Sequence, residues 1–102
     1  MEFKTNELVV CKDGFSMSVQ ANEWAYCTPR MSYAGWYTEV EVGYPTEREE
    51  LLMPYVEDEE RPTDTVYAWT PTHVIARVLE KHGGIVSGQV PPGVPYVVVK
   101  LN

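Results

Sequence analysis

Residues 65–84 read TVYAWTPTHVIARVLEKHGG and carry the clearest local signals of a strand followed by a helix. Its first five residues combine β-branched and aromatic side chains, which predicts a strand. Thr70 directly before Pro71 predicts a helix start, with Thr70 as the N-cap and Pro71 in the first helical position. Four apolar residues then repeat with the spacing of one helix face: Val74, Ile75, Val78 and Leu79. Since two glycines end this pattern, we expect the main helix near residues 71–82.

Strand patterns precede this helix in two places. Residues 7–11 are mostly apolar and lead through the turn Lys12-Asp-Gly14 into residues 15–21, where apolar and polar side chains alternate. Residues 36–44 alternate in the same way. We interpret one set of their side chains as facing the core: Trp36, Thr38, Val40, Val42 and Tyr44. The other set is expected to face solvent: Tyr37, Glu39 and Glu41.

Three shorter segments complete the predicted sheet. Residues 24–28 and 96–100 are expected to be strands, and residues 51–56 an edge strand that tolerates Pro54. The predicted fold class is α+β, an antiparallel sheet of about five or six strands with one main helix, in a single domain 1–102. One short helix covers only part of such a sheet, which favours a homo-oligomer, in particular a dimer.

The charge is concentrated in one part of the chain, which has 102 residues and a net charge of −7. Between Glu39 and Glu60 there are nine acidic residues and one basic residue, Arg48. This balance disfavours direct binding of nucleic acid. The acidic run is either a solvated face or a surface that docks on a basic partner. Without a signal peptide or a long apolar run, we expect a cytoplasmic protein that makes no membrane contact.

The chain carries no recognisable catalytic pattern. His73 and His82 are nine residues apart at the two ends of the predicted helix, so we interpret them as a polar helix start and a partner of the helix dipole. Cys11 and Cys27 are interpreted as buried thiols, with a disulfide as the alternative. The acidic residues fall in runs that look exposed, which is unfavourable for acid–base catalysis. We therefore expect no enzyme activity, no metal and no cofactor.

Aromatic residues near a guanidinium indicate a binding function instead. Such a group suits a nucleotide-like ligand, because the rings stack on a base and arginine holds a phosphate. The alternative is that most of these aromatic residues belong to the core or to a dimer interface. The candidate ligand-binding residues are Arg30, Tyr26, Tyr33, Trp36, Tyr37, Tyr67 and Trp69.

Several motifs resemble a family of small bacteriophage and prophage proteins. They are SVQ (18–20), YCTPR (26–30), YTEVEVGYP (37–45), LLMPY (51–55), PTDTVY (62–67) and KHGGI (81–85). The chain is similar to the phage anti-Thoeris sponges, small oligomeric α+β proteins that sequester cyclic ADP-ribose-type immune signals. Because this chain has no arginine after Arg77, none of the C-terminal phosphate-contacting arginines of that family is assigned here.

The resemblance implies a phage counter-defence protein that works in the cytoplasm of the infected bacterial host. It would bind and sequester a small nucleotide-derived signalling molecule. Two alternatives remain open: an acidic, anti-CRISPR-like inhibitor that binds a host nucleic-acid-binding defence complex, and a small phage interaction module.

Overall fold

A five-stranded antiparallel sheet is the framework of the protein in the computed structural model, which describes residues 5–95. Its strands are β1 (Val9–Cys11), β2 (Ser16–Gln20), β3 (Glu39–Gly43), β4 (Val66–Pro71) and β5 (Ile85–Ser87). They lie in the order β4-β3-β2-β1-β5, and every neighbouring pair is antiparallel. One helix, α1 (Thr72–Lys81), follows β4 directly. The predicted α+β class is confirmed, and the strand expected at 96–100 lies outside the described residues.

The hairpin β1–β2 forms at the predicted turn. Gly14 has φ +93°, the left-handed conformation that glycine adopts without steric cost. Asp13 accepts the backbone N–H of Phe15 through Oδ1 at 2.9 Å, which closes the turn. Val9 then pairs with Met17, and both side chains are buried.

The core lies between one face of the sheet and α1. The sheet contributes Val9, Met17, Val19, Val40, Val42 and Tyr67. The helix contributes the predicted stripe, Val74, Ile75, Val78 and Leu79, all of which are buried. Burial of each such aliphatic side chain stabilises the fold by about 1.5–3 kcal/mol. Among residues 5–95, no helix is both long and apolar enough to cross a membrane.

The start of the helix differs from the prediction. Thr70 is buried in β4, and its hydroxyl donates to the carbonyl of Tyr67 at 3.4 Å rather than capping the helix. Pro71 occupies the N-cap position, and the helix runs from Thr72 to Lys81. The sheet pairing of Val40 with Thr70 and of Glu39 with Pro71 extends the strand through the predicted cap, so tertiary pairing overrides the local signal.

The predicted inward and outward faces of residues 36–44 are confirmed only inside β3. Val40 and Val42 are buried as expected. Tyr37, however, is 2% exposed and Trp36 is 68% exposed, the reverse of the prediction, and Tyr44 is also exposed. Alternation of faces requires a regular extended backbone. The regular strand begins only at residue 39, so the pattern has no structural meaning before it.

Two of the expected strands are absent. Residues 24–28 contribute a single bridge, Thr28 with Glu39, because the side chain of Asn22 accepts the N–H groups of Trp24 and Ala25 and bends the chain there. Residues 51–56 contain a 3₁₀ helix, Met53–Tyr55, instead of an edge strand. The fixed φ of proline and its missing N–H suit a first helical turn better than a ladder.

Gly88 provides a test of this architecture. Its φ is +105°, and a Cβ built there would lie 2.2 Å from the carbonyl oxygen of Leu8. We expect Gly88→Ala to lower the free energy of unfolding by at least about 1–3 kcal/mol, the usual cost of such backbone strain, measured by urea denaturation. Gly35→Ala is the control, because a Cβ at Gly35 meets nothing within 4 Å. Equal stability of the two variants would contradict the placement of residue 88 against β1.

Candidate ligand-binding site

Three of the predicted site residues come together on the surface. The rings of Tyr26 and Trp69 are 5.0 Å apart between centroids and tilted by 36°. The guanidinium carbon of Arg30 lies 5.5 Å from the centroid of the Tyr26 ring, a cation–π distance. All three side chains are exposed. We call this group the Tyr26–Arg30–Trp69 cluster.

A β-bulge in β4 presents Trp69. Val40 pairs with Thr70 and Val42 with Tyr67, so two residues of β4 face one residue of β3. Trp69 has φ +45°, and its side chain is 46% exposed. A bulky residue in the left-handed region costs about 1–3 kcal/mol, and bulges commonly redirect a side chain next to a binding site.

The segment that carries Tyr26 is fastened to β3 by two glutamates. The backbone N–H of Tyr26 donates to Glu41 Oε2 at 3.0 Å, and the hydroxyl of Thr28 donates to Glu39 Oε1 at 2.6 Å. Tyr26 in turn accepts the N–H of Trp69 through its carbonyl at 3.0 Å. Backbone and side-chain hydrogen bonds therefore fix Tyr26 relative to both β3 and β4.

Arg30 follows a cis peptide bond between Thr28 and Pro29. Its guanidinium donates through Nη2 to the carbonyl of Trp24 at 3.3 Å. This single bond to a neutral carbonyl leaves most of its five N–H donors outside the protein contacts of residues 5–95. The exposed guanidinium can therefore take an anionic oxygen while it remains over Tyr26.

The other four predicted residues lie elsewhere. Tyr37 and Tyr67 are buried in the core, and their hydroxyls donate to the carbonyls of Met31 and Pro62. Burial raises the pKa of the Tyr67 phenol. Tyr33 and Trp36 are exposed on the loop between β2 and β3. The structure thus brings together Tyr26, Arg30 and Trp69 and separates the two core tyrosines from them.

Sequence reasoning missed a buried charge network at the end of α1. His82 Nδ1 lies 2.6 Å from Asp13 Oδ2, and His82 Nε2 lies 2.7 Å from Glu49 Oε1. Lys81 Nζ donates to the other oxygen of Glu49 at 2.9 Å. The ring of Phe15 stacks on the imidazole at 4.0 Å. The expectation that the acidic runs are exposed is wrong at Glu49, which is 1% exposed, and the interpretation of His82 as a partner of the helix dipole did not include its buried contacts with two carboxylates.

This network has a structural role. Both ring nitrogens of His82 are occupied by carboxylates, so the imidazole has no nitrogen left to exchange a proton with a ligand. It joins three parts of the chain: the end of α1, the β1–β2 turn and the segment around Glu49. No local signal could reveal it, since His82 is 69 residues from Asp13 and 33 from Glu49.

Protonation states in the network follow from these contacts. Burial alone would lower the pKa of His82, but the carboxylates of Glu49 and Asp13 outweigh it, and the pKa is raised. Burial likewise opposes ionisation of Glu49, yet the N–H of Leu51 together with Lys81 and His82 lowers its pKa. The N–H of Phe15, followed by His82, lowers the pKa of Asp13. These contacts therefore favour the charged form of His82 between its two carboxylates.

The cysteines are buried free thiols. Burial raises the pKa of Cys11 to about 11, and burial also raises the pKa of Cys27. Neither thiol is activated as a nucleophile, because the thiolate is disfavoured at neutral pH. Within residues 5–95, no three side chains of His, Cys, Asp or Glu converge as a metal site.

Comparison with protein-family models, with curated proteins and with solved structures gives no match. The functional proposal therefore depends on the chemistry of the cluster and on the sequence resemblance.

The charge network predicts a stability maximum in weakly acidic solution. The contribution of His82 is complete below its ordinary pKa of 6.5 and is lost as pH rises through its raised folded value. The contributions of Glu49 and Asp13 are present above their ordinary values of 4.5 and 3.8 and are lost as pH falls through their lowered folded values. Urea midpoints measured across pH should therefore fall on both sides of this window. His82→Gln should flatten the alkaline decline, whereas the exposed His73→Gln should preserve it.

Removal of the buried carboxylate tests the network directly. Glu49→Gln leaves His82 with only one anionic partner, and breaking a buried ion pair typically costs about 3–5 kcal/mol. Chemical denaturation measures this loss. Glu50→Gln is a matched control, because the Glu50–Arg48 pair is solvent-exposed and should leave stability almost unchanged. Similar stability of both variants would show that the Glu49 network does not hold the fold.

Proposed function

We propose that this protein is a non-catalytic binding protein that holds a small nucleotide-derived molecule at the Tyr26–Arg30–Trp69 cluster. The observation that carries the proposal is the conformation of Trp69, a large aromatic residue held in the left-handed region of a bulge with its side chain half exposed. Strain of this kind is typical of ligand-binding sites.

The cluster matches the parts of a nucleotide. A base stacks on the exposed indole of Trp69 or on Tyr26, and base–aromatic stacking is worth about 1–3 kcal/mol per base. Arg30 supplies a charge-assisted hydrogen bond to a phosphate oxygen. Glu39 and Glu41 each have one oxygen outside their bonds to the Tyr26–Thr28 segment, suited to an N–H donor on a base.

The negative charge of the chain is compatible with this ligand. At physiological ionic strength, charges separated by more than about 8 Å are largely screened in solution. Arg30 lies at the site itself, whereas six of the nine acids of the 39–60 run are exposed outside the cluster: Glu47, Glu50, Glu57, Asp58, Glu59 and Glu60. Affinity for a phosphate should therefore come from short-range contact with Arg30.

The sequence resemblance supplies the ligand class and the biological role. The anti-Thoeris sponges sequester cyclic ADP-ribose-type signals, and an aromatic platform next to a guanidinium suits the adenine ring and pyrophosphate of such molecules. Sequestration requires tight binding without turnover. In this proposal the protein is a phage counter-defence factor that lowers the free concentration of an immune signal in the infected cell.

A second candidate function uses the acidic run. Three of the nine acids in this run do not belong to a free acidic surface. Glu49 is buried, and Glu39 and Glu41 accept hydrogen bonds from the Tyr26–Thr28 segment. The six remaining acids are exposed, and Arg48 within the run and Arg61 directly after it already pair with Glu50 and Asp64. Such a surface could bind a basic host protein and inhibit a nucleic-acid-binding complex. Titration with a nucleotide separates the two candidate functions, because an acidic inhibitor requires no nucleotide.

Arg30→Ala is the decisive variant. Loss of a charge-assisted hydrogen bond costs about 1.5–3 kcal/mol, so affinity for a cyclic ADP-ribose-type nucleotide should fall about ten- to hundredfold. Calorimetric titration and tryptophan fluorescence measure the affinity, and urea denaturation should show nearly unchanged stability. Arg77→Ala is the matched control, because Arg77 is an exposed arginine on α1. The nucleotide should be recovered intact after the protein is denatured.

Three outcomes would contradict the proposal. Full affinity in Arg30→Ala would place the ligand elsewhere, and unfolding of this variant would make Arg30 a structural residue. A panel of cyclic and linear nucleotides that shows no binding, together with recovery of a basic host protein, would support the acidic inhibitor instead.

A further inference from the structure

The loop between β2 and β3 carries a second set of exposed apolar side chains. Four large apolar side chains of this loop are exposed: Trp24, Met31, Tyr33 and Trp36. Tyr33 is the most exposed of them, at 83%. We call this set the loop patch. Tryptophan is usually well buried in proteins, yet all three tryptophans of this chain, Trp24, Trp36 and Trp69, are exposed.

Internal hydrogen bonds fold the loop into one compact unit. The N–H of Glu23 donates to Ser32 Oγ at 3.2 Å, which brings the chain before Trp24 next to the chain after Met31. The buried Tyr37 hydroxyl donates to the carbonyl of Met31 at 2.7 Å and accepts the N–H of Ala34 at 3.1 Å. The loop patch is therefore presented by a backbone that is anchored to the core on its inner side.

The loop is also electrically neutral in a strongly acidic chain. Residues 22–38 contain one acid, Glu23, and one base, Arg30, while the whole chain has a net charge of −7. Two copies of the chain repel each other through their acidic faces. A contact through residues 22–38, whose one acid and one base balance, adds little like-charge repulsion between two copies.

We infer that the loop patch is the contact surface of a homodimer, with a second copy of this chain as its occupant. In a twofold dimer the same patch of each copy contacts the other, so a patch with a net charge would repel itself. The patch should also be rich in the side chains that are common at protein interfaces. Trp, Tyr, Met and Arg are enriched at the centre of protein interfaces, and Lys, Glu and Asp are depleted. Residues 22–38 have this composition, whereas the acidic segment after β3 does not. The inference does not depend on the proposed nucleotide ligand.

Analytical ultracentrifugation of the full chain tests the dimer. At micromolar concentration the wild-type protein should sediment at twice the chain mass of 11.6 kDa. Trp36→Glu places a charge in the loop patch and removes an aromatic anchor, so the dissociation constant should rise about thirtyfold or more. Val86→Glu is the control, because Val86 is a similarly exposed apolar residue outside the loop patch. This control should remain a dimer.

Tryptophan fluorescence gives an independent measurement. Dimerisation should protect Trp24 and Trp36 from acrylamide, so quenching of the wild-type protein should increase on dilution, whereas quenching of Trp36→Glu should not depend on concentration. A wild-type monomer at micromolar concentration would overturn the inference. A dimer that survives Trp36→Glu but dissociates in Val86→Glu would also overturn it, because the contact would then lie at β5. Circular dichroism of each variant verifies that it is folded.

Discussion

The ion network of Glu49, His82 and Asp13 holds together three distant parts of the chain. It joins the end of α1, the only α-helix in residues 5–95, to the first hairpin and to the segment that follows β3. Lys81 supplies a second positive charge beside Glu49, and the half-exposed side chains of Lys81 and Asp13 flank the buried Glu49–His82 pair. Isolated charges in this position would be costly, and complete pairing is what makes their burial tolerable. The network fixes how α1 lies on the sheet, while the apolar stripe supplies most of the driving force.

A framework held in this way can support strain at the opposite end of α1. The helix begins directly after β4, and the bulge that presents Trp69 lies just before that start. The pairs Val40–Thr70 and Glu39–Pro71 hold the strand on the far side of the bulge. Trp69 can therefore keep an unfavourable backbone conformation, because its neighbours on both sides are fixed by the sheet. This arrangement connects the stability of the core with the geometry of the proposed binding site.

The acidic residues of the chain have three different physical roles. Glu39 and Glu41 bond to the segment that carries Tyr26, Glu49 belongs to the buried network, and the remaining acids of the 39–60 run are exposed. In the sequence these residues look alike. Their separation explains how a protein with a net charge of −7 can present a guanidinium at one site and also a neutral aromatic loop.

Some structural elements can be predicted from short segments of the sequence alone. The helix stripe, the Gly14 turn and the inward faces of β2 and β3 follow from periodicity and turn chemistry, because each depends on residues close together in the chain. The sequence also indicated the aromatic and arginine content of the binding surface. Which members of that set meet depends on tertiary contacts: pairing across the bulge joins Trp69 to Tyr26, whereas packing buries Tyr37 and Tyr67. Tertiary contacts also place Thr70 in a strand instead of at the predicted N-cap position. They bring together Glu49 and His82, which are 33 residues apart in the sequence. Contacts of this kind arise from sheet register and core packing, which involve distant parts of the chain and leave no pattern in any short window of the sequence.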